Sequence, residues 1–547
     1  MKKTISWMLA LLLLIGTLAG CSGGGEESSV PQESASGSTS ESVQEASEEE
    51  EQVGPEFSYP MDGTVTLTMN REAYDLEDIP EYARDYYYWE VLQEKTGIQL
   101  EMIGAASGPY DTTQEFLLLL ASGEYPDMFV CNWVSFPGGP GAALNDGYIQ
   151  TLDQYVEYLP NFTQFLSENP DIDKSIRTDN GELYAAPWLR QEGTDVETGL
   201  VVRKDWLDQL GMEVPTTVDE MHEVLTAFKT ELGIVSPMTF ELRWLWLETA
   251  AASLSSPYGV VYPYYVDDRE VKFGPLEEGY KNFIQMMADW YAEGLLDTDL
   301  ATVDKSTVQA KFSNGEAGVA IQQSGNVQNC YDVLKEANEG YDVAAVPSLV
   351  MNEGDTPGFS HYRLIFDGGF EVTMSTQTEH PDVVCRFMDY LFSEEGDMLT
   401  NYGTEGVSYE ADEDGNFVSF TDVISNAPNG DSPSTARYYF ANYHNWAHQG
   451  KDMDYYDSDY IRGVKETWKA QMADHVLPSI THTTEETSVI SAKYSTLDTY
   501  CRENITKFIL GTSSMDEWDG FLDAIRSLGA EEILSLKQAA YDRYMAR

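Results

Sequence analysis

The chain has 547 residues, 42% hydrophobic and 12% aromatic, which is enough for two or more compact units with their own cores. Its 93 acidic and 32 basic residues give a net charge of −61, which argues against nucleic acid or an anionic membrane surface as the main partner, because both would be repelled. The five cysteines are scattered without a Cys-x-x-Cys pair and indicate neither a disulfide framework nor a zinc site.

The N-terminus has the features of a secretion signal. Two lysines precede an apolar run at residues 5–15, which is too short to span a bilayer comfortably. The run leads to LAGC at residues 18–21, which resembles the lipobox of bacterial lipoproteins. That resemblance implies that Cys21 is diacylated, and two acyl chains give stable anchoring. We therefore predict a signal peptide at residues 1–20 and a protein that a lipid anchor tethers to the membrane.

The segment that follows, residues 21–56, has the composition of a disordered linker. After Cys21 it contains ten Glu, many Ser and Gly, and no Lys, Arg or aromatic residue, so it cannot bury enough apolar surface to fold. A flexible chain of this length spans roughly 30–35 Å, and repulsion between like charges extends it further. The functional part of the protein is expected to begin at residue 57.

Strands and helices then alternate. The pattern predicts a strand in GTVTLTM, a helix in EYARDYYYWEVLQEKTG that stops at Gly97, and a strand in IQLEMI. A capping box at Thr112 and Glu115 begins the next helix, and PDMFVCNW predicts a strand that ends near Trp133. Such alternation favours an α/β fold with a largely parallel sheet, in which ligands bind beyond the carboxyl ends of the strands.

Three later elements are also readable. A capping box at Thr217 and Glu220 begins a helix in PTTVDEMHEVLTAFKTELG, and two further helices near the C-terminus are separated at Gly529. VSYEADEDGNFVSF predicts a hairpin that turns at residues 414–415. Its acidic residues also match the first positions of a calcium loop, but Thr421 occupies the place of the bidentate Glu, so we predict a hairpin and no metal.

Seven segments along the chain carry a family resemblance. In order, they are YYYWEVLQEKTGIQLE, LASGEYPDMFV, GELYAAPW, LVVRKDWLDQLGMEVPTTVDEM, KFSNGEAGVAIQQSGN, YLFSEEGDMLTNYGTEGVSYE and ILGTSSMDEWDGFLDAIRSLG with LKQAAYDRY. Behind a lipobox, they resemble the extracellular solute-binding lipoproteins of bacterial carbohydrate transporters of the ATP-binding-cassette type. The similarity is to the large branch that takes up oligosaccharides in Gram-positive bacteria.

The resemblance implies a periplasmic-binding-protein-like α/β fold of two lobes, each a mixed, largely parallel sheet flanked by helices, with the ligand cleft at the hinge. It implies an N-terminal lobe from residues 57–190 and 370–435 and a C-terminal lobe from residues 191–369 and 436–547. The chain would cross between the lobes near residues 186–200 and 367–371. Gly368 and Gly369 are hinge candidates, because glycine tolerates the backbone changes that a hinge requires.

A sugar site needs flat aromatic faces for the pyranose rings and planar polar groups for the hydroxyls. Eight residues are candidates on this basis, with ordinary core packing or a structural ion pair as the alternative for each. They are Trp133, Trp188, Arg203, Trp244, Asn326, Tyr402, Glu405 and Trp446. Trp133 and Trp188 are the first choices, since one follows a strand and the other lies in the expected crossing.

The resulting expectation is a monomeric, membrane-tethered extracellular protein that captures an oligosaccharide and delivers it to the permease of an ATP-binding-cassette importer, without a cofactor or metal. A neutral sugar is the first choice, since residues 57–547 hold 83 acidic against 30 basic side chains. The alternatives are binding of a peptide or another polar solute, a secreted polysaccharide hydrolase, and a tethered sensor. No motif for nucleophilic or nucleotide chemistry supports the enzyme.

Overall fold

The structure is a computed structural model that describes most of the chain after residue 57. The described residues are 58–63, 65–70, 76–103, 114–134, 136, 138–189, 196, 198–246, 253–359, 371–431, 433–441, 447–448, 459–469 and 475–547. The predicted signal peptide, the lipidation site at Cys21 and the linker lie outside them, as do the hinge candidates Gly368 and Gly369 and the ligand candidate Trp446.

Lobe 1, formed by the described residues of 58–189 and 371–441, is built on a five-stranded mixed sheet. Its strands are β1 (Val65–Met69), β2 (Ile98–Met102), β3 (Met128–Cys131), β4 (Ile149–Gln150) and β12 (Glu371–Ser375). In the order β2-β1-β3-β12-β4, β1 is parallel to β2 and β3, whereas β12 is antiparallel to both of its neighbours. The strands predicted from GTVTLTM, IQLEMI and PDMFVCNW are confirmed as β1, β2 and β3.

Helices surround this sheet. They are α1 (Tyr88–Thr96), α2 (Gln114–Ser122), α3 (Gly139–Asn145), α4 (Pro160–Glu168), α5 (Pro170–Ser175), α11 (Pro381–Tyr390), α12 (Glu394–Tyr402), α13 (Asp422–Ser425) and α14 (Pro433–Phe440), with short 3-10 turns at Arg84–Tyr86 and Asp153–Tyr158. Gly97 ends α1 as predicted, because its φ of 74° belongs to the left-handed region that glycine adopts without a steric cost.

The predicted acidic hairpin is confirmed in lobe 1. Strands β13 (Tyr409–Ala411) and β14 (Phe417–Phe420) pair antiparallel. The Asp412 carboxylate accepts hydrogen bonds from the backbone N–H groups of Asp414, at 2.9 Å, and Asn416, at 2.8 Å. An aspartate that binds the backbone two and four residues ahead is what a tight turn uses, which accounts for the acidic cluster.

Lobe 2, formed by the described residues of 196–359 and 459–547, has a four-stranded mixed sheet and a separate hairpin. The strands are β6 (Thr198–Arg203), β7 (Met238–Thr239), β10 (Val319–Gln323) and β11 (Val343–Val346), and the hairpin is β8 (Tyr264–Asp267) with β9 (Glu270–Phe273). The sheet order is β11-β6-β10-β7, and β6 is antiparallel to both of its neighbours. All six residues of β6 are buried, because this strand lies inside a covered sheet.

The helices of lobe 2 include three at the C-terminus. Those with described bounds are α6 (Lys204–Leu210), α7 (Val218–Thr230), α8 (Glu278–Ala292), α9 (Lys305–Ser313), α10 (Ser324–Ala337), α15 (Asp459–Lys469), α16 (Thr484–Ile509), α17 (Trp518–Ser527) and α18 (Ala530–Ala546), with 3-10 turns at Leu242–Trp246, Ser256–Tyr258, Gly274–Leu276 and Met515–Glu517. The capping box of Thr217 and Glu220 begins α7 as predicted. Gly529, with φ of 99°, separates the last two helices, also as predicted.

The main core of each lobe combines side chains from two distant parts of the chain. In lobe 1, Leu67 and Met128 pack in the same cluster as Val372 and Phe387. In lobe 2, the buried residues Leu200, Phe228, Phe283, Ile505 and Phe521 belong to one cluster. The two-lobed α/β fold is therefore confirmed, while the exact lobe boundaries stay predictions. Among the described residues, no helix has both the length and the apolar character to cross a membrane.

Candidate functional site

Backbone hydrogen bonds bring three distant parts of the chain together at one junction. Ala186, at the end of lobe 1, exchanges two backbone hydrogen bonds of 2.9 Å with Val372 of β12. Immediately afterwards, β5 (Trp188–Leu189) pairs in parallel with β15 (Ala447–His448). Residues 186–189 thus pair with two later parts of the chain, β12 and β15. Trp188 lies at this junction, opposite Ala447, although the structure describes only its backbone.

A cavity of about 470 Å³ is lined by residues of both lobes. This volume falls within the range of about 300–1,000 Å³ that is typical of small-molecule sites. We call it the inter-lobe cavity. It is lined by Val134, Phe136, Leu477, Pro478, Ser479, Ile480, His482, Thr487, Ile490, Ser491, Tyr494, Ser495 and Lys537.

Lobe 1 contributes its wall of the cavity from the loop after β3. The backbone N–H of Phe136 donates to the carbonyl of Trp133 at 3.1 Å, and the N–H of Gly139 donates to the carbonyl of Phe136 at 2.7 Å. This tight turn places Val134 and Phe136 beyond the carboxyl end of β3, where ligands of α/β sheets bind.

Trp133 itself supports this wall from behind. Its side chain has no exposed surface, and its ring makes edge contacts with Phe116, Phe129 and Phe136 at centroid distances of 5.1 to 5.6 Å. A fully enclosed indole offers no face to a sugar ring, so the geometry favours the alternative of core packing. The residues that line the cavity after β3 are Val134 and Phe136, and the role of Trp133 in binding stays a prediction.

Lobe 2 contributes the opposite wall from residues 477–482 and the first turns of α16. The helix begins with a complete capping box, in which the Thr483 hydroxyl accepts from the N–H of Glu486 and the Glu486 carboxylate accepts from the N–H of Thr483. Along α16 the lining residues recur at the three- and four-residue spacing of one helix face. They are Thr487, Ile490, Ser491, Tyr494 and Ser495.

Two buried polar atoms in the cavity wall lack a protein partner. Nε2 of His482 and Oγ1 of Thr487 have no hydrogen-bond partner within the part of the chain that the structure describes. Burial, and then the nearby Lys537 ammonium, lower the pKa of His482 to about 3, so the imidazole is neutral at ordinary pH. A buried polar atom without a partner is costly, and a ligand hydroxyl would remove that cost.

Lobe 1 approaches closely at this point. A Cβ placed on Gly139, at the start of α3, would lie 3.7 Å from Oγ1 of Thr487, and a Cβ on the preceding Gly138 would lie 3.9 Å from Thr484. The two glycines therefore let the backbone of lobe 1 reach the first turn of α16. Both walls of the inter-lobe cavity meet along this contact.

Arg203 occupies a structural ion pair. Its guanidinium donates to both carboxylate oxygens of Asp205, at 2.8 and 2.6 Å, and lies 4.3 Å from the ring centre of Trp206 and 4.6 Å from that of Tyr341. These contacts account for the buried charge. The sequence left this alternative open, and the geometry favours it.

Trp244 and Tyr402 are packed in their lobes. Trp244 belongs to a 3-10 turn and is 4% exposed, with the guanidinium of Arg243 lying 4.2 Å from its ring centre. Tyr402 ends α12, is also 4% exposed, and stacks on Phe417 at a centroid distance of 4.2 Å.

The remaining two candidates lie at helix and turn positions. Asn326 is the third residue of α10 and is partly buried, and Glu405 is exposed in the turn after α12. None of the predicted ligand residues whose side chains the structure describes lines the inter-lobe cavity. Their roles in binding stay predictions.

The residues that the sequence reasoning missed are in the C-terminal part of lobe 2, above all His482 and Thr487. One signal was available, since the sequence THTTEETSVISAKYS contains a capping box at Thr483 and Glu486 and a helical polar face after it. The sequence gives no indication that this helix face lies against lobe 1.

Comparison with known sequences decides the family. The model of a family described as bacterial extracellular solute-binding protein matches residues 75–398, which is more than half of the chain. The chain belongs to this family.

Similar proteins share the length and fold of this solute-binding protein. The fructooligosaccharide ABC transporter substrate-binding protein FusA of Streptococcus pneumoniae serotype 4 is 21% identical over 491 residues, covering 83% of this chain and 86% of FusA. A structure of FusA with kestose has a TM-score of 0.67 at 20% identity and covers 88% of this chain and 100% of that one.

Two further relatives are the lipoprotein LipO of Bacillus subtilis and the alginate-binding protein AlgQ2. LipO is 25% identical over 348 residues, covering 60% of this chain and 65% of LipO. AlgQ2 has a TM-score of 0.69 at 20% identity and covers 89% of this chain and 100% of that one. At these identities the solved structures establish the shared two-lobed fold.

Proposed function

We propose that this solute-binding protein captures an oligosaccharide outside the cell, between its two lobes, and delivers it to an importer of the ATP-binding-cassette type. The observation that carries the proposal is the inter-lobe cavity, in which both lobes contribute a wall and two buried polar atoms, on His482 and Thr487, have no partner among the described residues. FusA, which is named for fructooligosaccharides, supports the substrate class.

The chemistry of the two walls suits a sugar. The lobe-1 wall is apolar, with Val134 and the ring of Phe136, and can pack against the C–H face of a pyranose or furanose ring. The lobe-2 wall carries hydroxyls from Ser491 and Ser495 beside the neutral imidazole of His482. Such groups both donate and accept hydrogen bonds, as do the hydroxyls of a sugar.

Binding in this place is coupled to lobe closure. A ligand that contacts Phe136 on one lobe and His482 on the other stabilises the arrangement in which both walls are close, and so shifts the equilibrium between open and closed forms. The closed form is the state that the importer's permease would distinguish from the empty protein. Binding and delivery of a ligand need no catalytic group, and we propose that the protein is not an enzyme.

The ligand and the tether complete the proposal. A neutral oligosaccharide is the first choice, because the strongly negative protein repels polyanions. The lipobox at Cys21 would hold a monomeric protein at the outer face of the membrane, and the lipoprotein LipO among the relatives supports this location.

A thermal-shift screen of residues 57–547 tests the substrate class. The panel contains neutral oligosaccharides, acidic oligosaccharides and short peptides. A ligand at a hundred times its dissociation constant adds about 2.7 kcal/mol to the free energy of unfolding, which raises Tm visibly. We expect a shift with one class of neutral sugar and recovery of that sugar unchanged after overnight incubation.

Other outcomes would redirect the assignment. A shift with peptides alone would replace the substrate class, and consumption of the sugar would identify a hydrolase.

The double substitution His482→Ala and Thr487→Ala should abolish the shift. Loss of the shift with retained Tm of the unliganded protein places the ligand in the inter-lobe cavity, whereas an unchanged shift places it elsewhere.

A further inference from the structure

One group of charged side chains joins the lobes beside the cavity. Asp179 belongs to lobe 1, at the tip of a hairpin closed by the bridge between Arg177 and Leu183. Its carboxylate accepts from Nε of Arg543 at 2.8 Å and from Oγ1 of Thr481 at 3.0 Å, and both donors belong to lobe 2. The Asp179 side chain is 11% exposed and that of Arg543 is 33% exposed, so the contact is partly buried.

The same arginine also holds the beginning of α16. Nη1 of Arg543 donates to the Glu486 carboxylate at 2.9 Å, and Nη2 approaches the second oxygen of the same group. Glu486 is the capping-box residue of α16 and is 12% exposed. Arg543 therefore connects the lobe-1 hairpin to the helix turn that carries Thr487. We call the group of Asp179, Arg543 and Glu486 the inter-lobe bridge.

A second arginine reinforces the contact from the C-terminus. Nη1 of Arg547 donates to the backbone carbonyls of Arg177, at 3.1 Å, and Thr178, at 2.8 Å. The hydroxyl of Tyr544 lies 3.3 Å from that of Ser175. The last turn of α18 is thus docked on lobe 1, although Tyr544 is part of the core of lobe 2.

We propose that Arg543 is a positioning residue, which links closure of the lobes to assembly of the ligand site. By binding Asp179 and Glu486 together, it holds His482 and Thr487 against the loop of Val134 and Phe136. The inter-lobe bridge stabilises the closed arrangement in the ligand-free protein as well. The identity of the ligand in this proposal rests on the proposed function. The effect of Arg543 on lobe closure is independent of any ligand.

The physical basis is that Arg543 makes a forked pair with Glu486 inside lobe 2 while its Nε and Nη2 also contact one carboxylate oxygen of Asp179 across the lobes. Arginine presents a planar set of donors that binds a carboxylate with two parallel hydrogen bonds, which lysine cannot reproduce. Because the bridge spans the lobes, its free energy contributes to the closed form and is lost in an open form. If a substitution lowers the fraction of the free protein that is closed, the apparent affinity for the ligand falls in the same proportion.

The ligand-free test is small-angle X-ray scattering of residues 57–547 and of its Asp179→Asn and Arg543→Lys variants. We expect both variants to show a larger radius of gyration than the wild type with Tm almost unchanged. Arg526→Gln is the matched control, since Arg526 pairs with Glu531 within lobe 2 and should leave the radius unchanged. Equal radii in all four proteins would overturn the proposal. If Asp179→Asn does not fold, Arg543→Lys decides alone.

A binding experiment adds a measurement that would not change if Arg543 only stabilised the fold. Affinity for the best neutral oligosaccharide should fall about threefold to tenfold in Asp179→Asn, in line with the loss of a partly buried ion pair. For a neutral ligand, the wild-type affinity should also weaken as NaCl is raised to about 1 M, because salt screens an ion pair whose arginine is 33% exposed. Asp179→Asn should lack this salt dependence.

The two proposals fail in different ways. If no oligosaccharide binds the wild type, the proposed function fails while the scattering comparison still decides the role of the inter-lobe bridge. If sugars bind with the same affinity and salt dependence in wild type and Asp179→Asn, the function stands and the role of Arg543 is refuted.

Discussion

The indole N–H of Trp133 donates a hydrogen bond of 2.8 Å to the hydroxyl of Thr373, which joins the loop after β3 to the middle of β12. Both residues are fully buried. The bond ties the loop that forms the lobe-1 wall of the cavity to a strand from a much later part of the chain. Trp133 therefore supports the candidate site from the core of lobe 1. Its removal should lower the stability of the lobe more than it weakens ligand binding.

Replacing Trp133 with alanine should destabilise lobe 1. Deletion of a buried aromatic side chain leaves a cavity and costs about 3–5 kcal/mol in the free energy of unfolding. Urea denaturation measures this directly. Thr373→Val removes only the hydrogen bond, so it should cost about 1–3 kcal/mol. If Trp133→Ala kept its stability and instead lost sugar binding, the indole would be a ligand contact after all.

Gly199 in β6 should not tolerate alanine. A Cβ there would lie 2.4 Å from Cε2 of Trp468, whose N–H donates to the carbonyl of Leu200 at 3.0 Å. Overpacking of this kind costs about 1–3 kcal/mol. The control is Gly325→Ala in α10, where nothing lies within 4 Å of the new methyl group, and its stability should equal or exceed that of the wild type by up to about 1 kcal/mol. Equal stabilities in the two variants would contradict the close packing of α15 on β6.

Protonation of His482 should contribute to acid destabilisation. Its folded pKa of about 3 lies below the ordinary 6.5, so the unfolded chain takes up the proton first and stability falls as pH drops from 6.5 towards 3. Glu486 opposes this shift, whereas Lys537 and Arg543 favour it. At pH 5 the loss from this group amounts to about 2 kcal/mol. His482→Gln should show a shallower loss in urea denaturation between pH 7 and 5. Parallel profiles would show that the imidazole is more accessible than its burial indicates.

Asp389 should act in the opposite direction. Burial raises the pKa of this carboxyl to about 6, although it accepts hydrogen bonds from the N–H of Phe162, at 2.9 Å, and Nδ2 of Asn161, at 2.7 Å. The folded state holds the proton of Asp389 more tightly than the unfolded chain does, so proton binding stabilises the fold. This stabilisation is complete below pH 3.8 and is lost as pH rises through 6.

The matching experiment uses Asp389→Asn. The difference in unfolding free energy between variant and wild type should move in favour of the variant by about 2 kcal/mol between pH 4 and 7. Urea denaturation at four pH values across this interval measures it, and groups common to both proteins cancel. A difference that stays constant with pH would mean that Asp389 titrates as an ordinary surface carboxyl.

Local features of the fold were readable from the sequence because each depends on neighbouring residues. The left-handed stop at Gly97, the capping box of Thr217 and Glu220 and the hairpin turn near Asp414 all follow from short-range hydrogen bonding and backbone sterics. The family resemblance supplied the two-lobed arrangement, which no local pattern encodes.

The site was harder to predict for an identifiable reason. All four residues of β3 are buried, so its alternation could not tell which side chain near the strand end faces ligand and which faces core. The contact between Arg203 and Asp205 is local, and the sequence left it open as an ion pair. His482 and Thr487 become a site only because lobe 1 lies against them, and sequence spacing carries no information about that contact.

The position of β12 in the first sheet has a consequence for the order in which the protein can fold. This strand lies between β3 and β4, so the sheet is incomplete until residue 375 is available to it. Because a chain emerges from its N-terminus, the whole stretch that forms most of lobe 2 is present before lobe 1 can close its hydrogen-bonded ladder. Lobe 1 therefore cannot complete its sheet as an independent early unit, and its last strand arrives only after most of lobe 2 has been made.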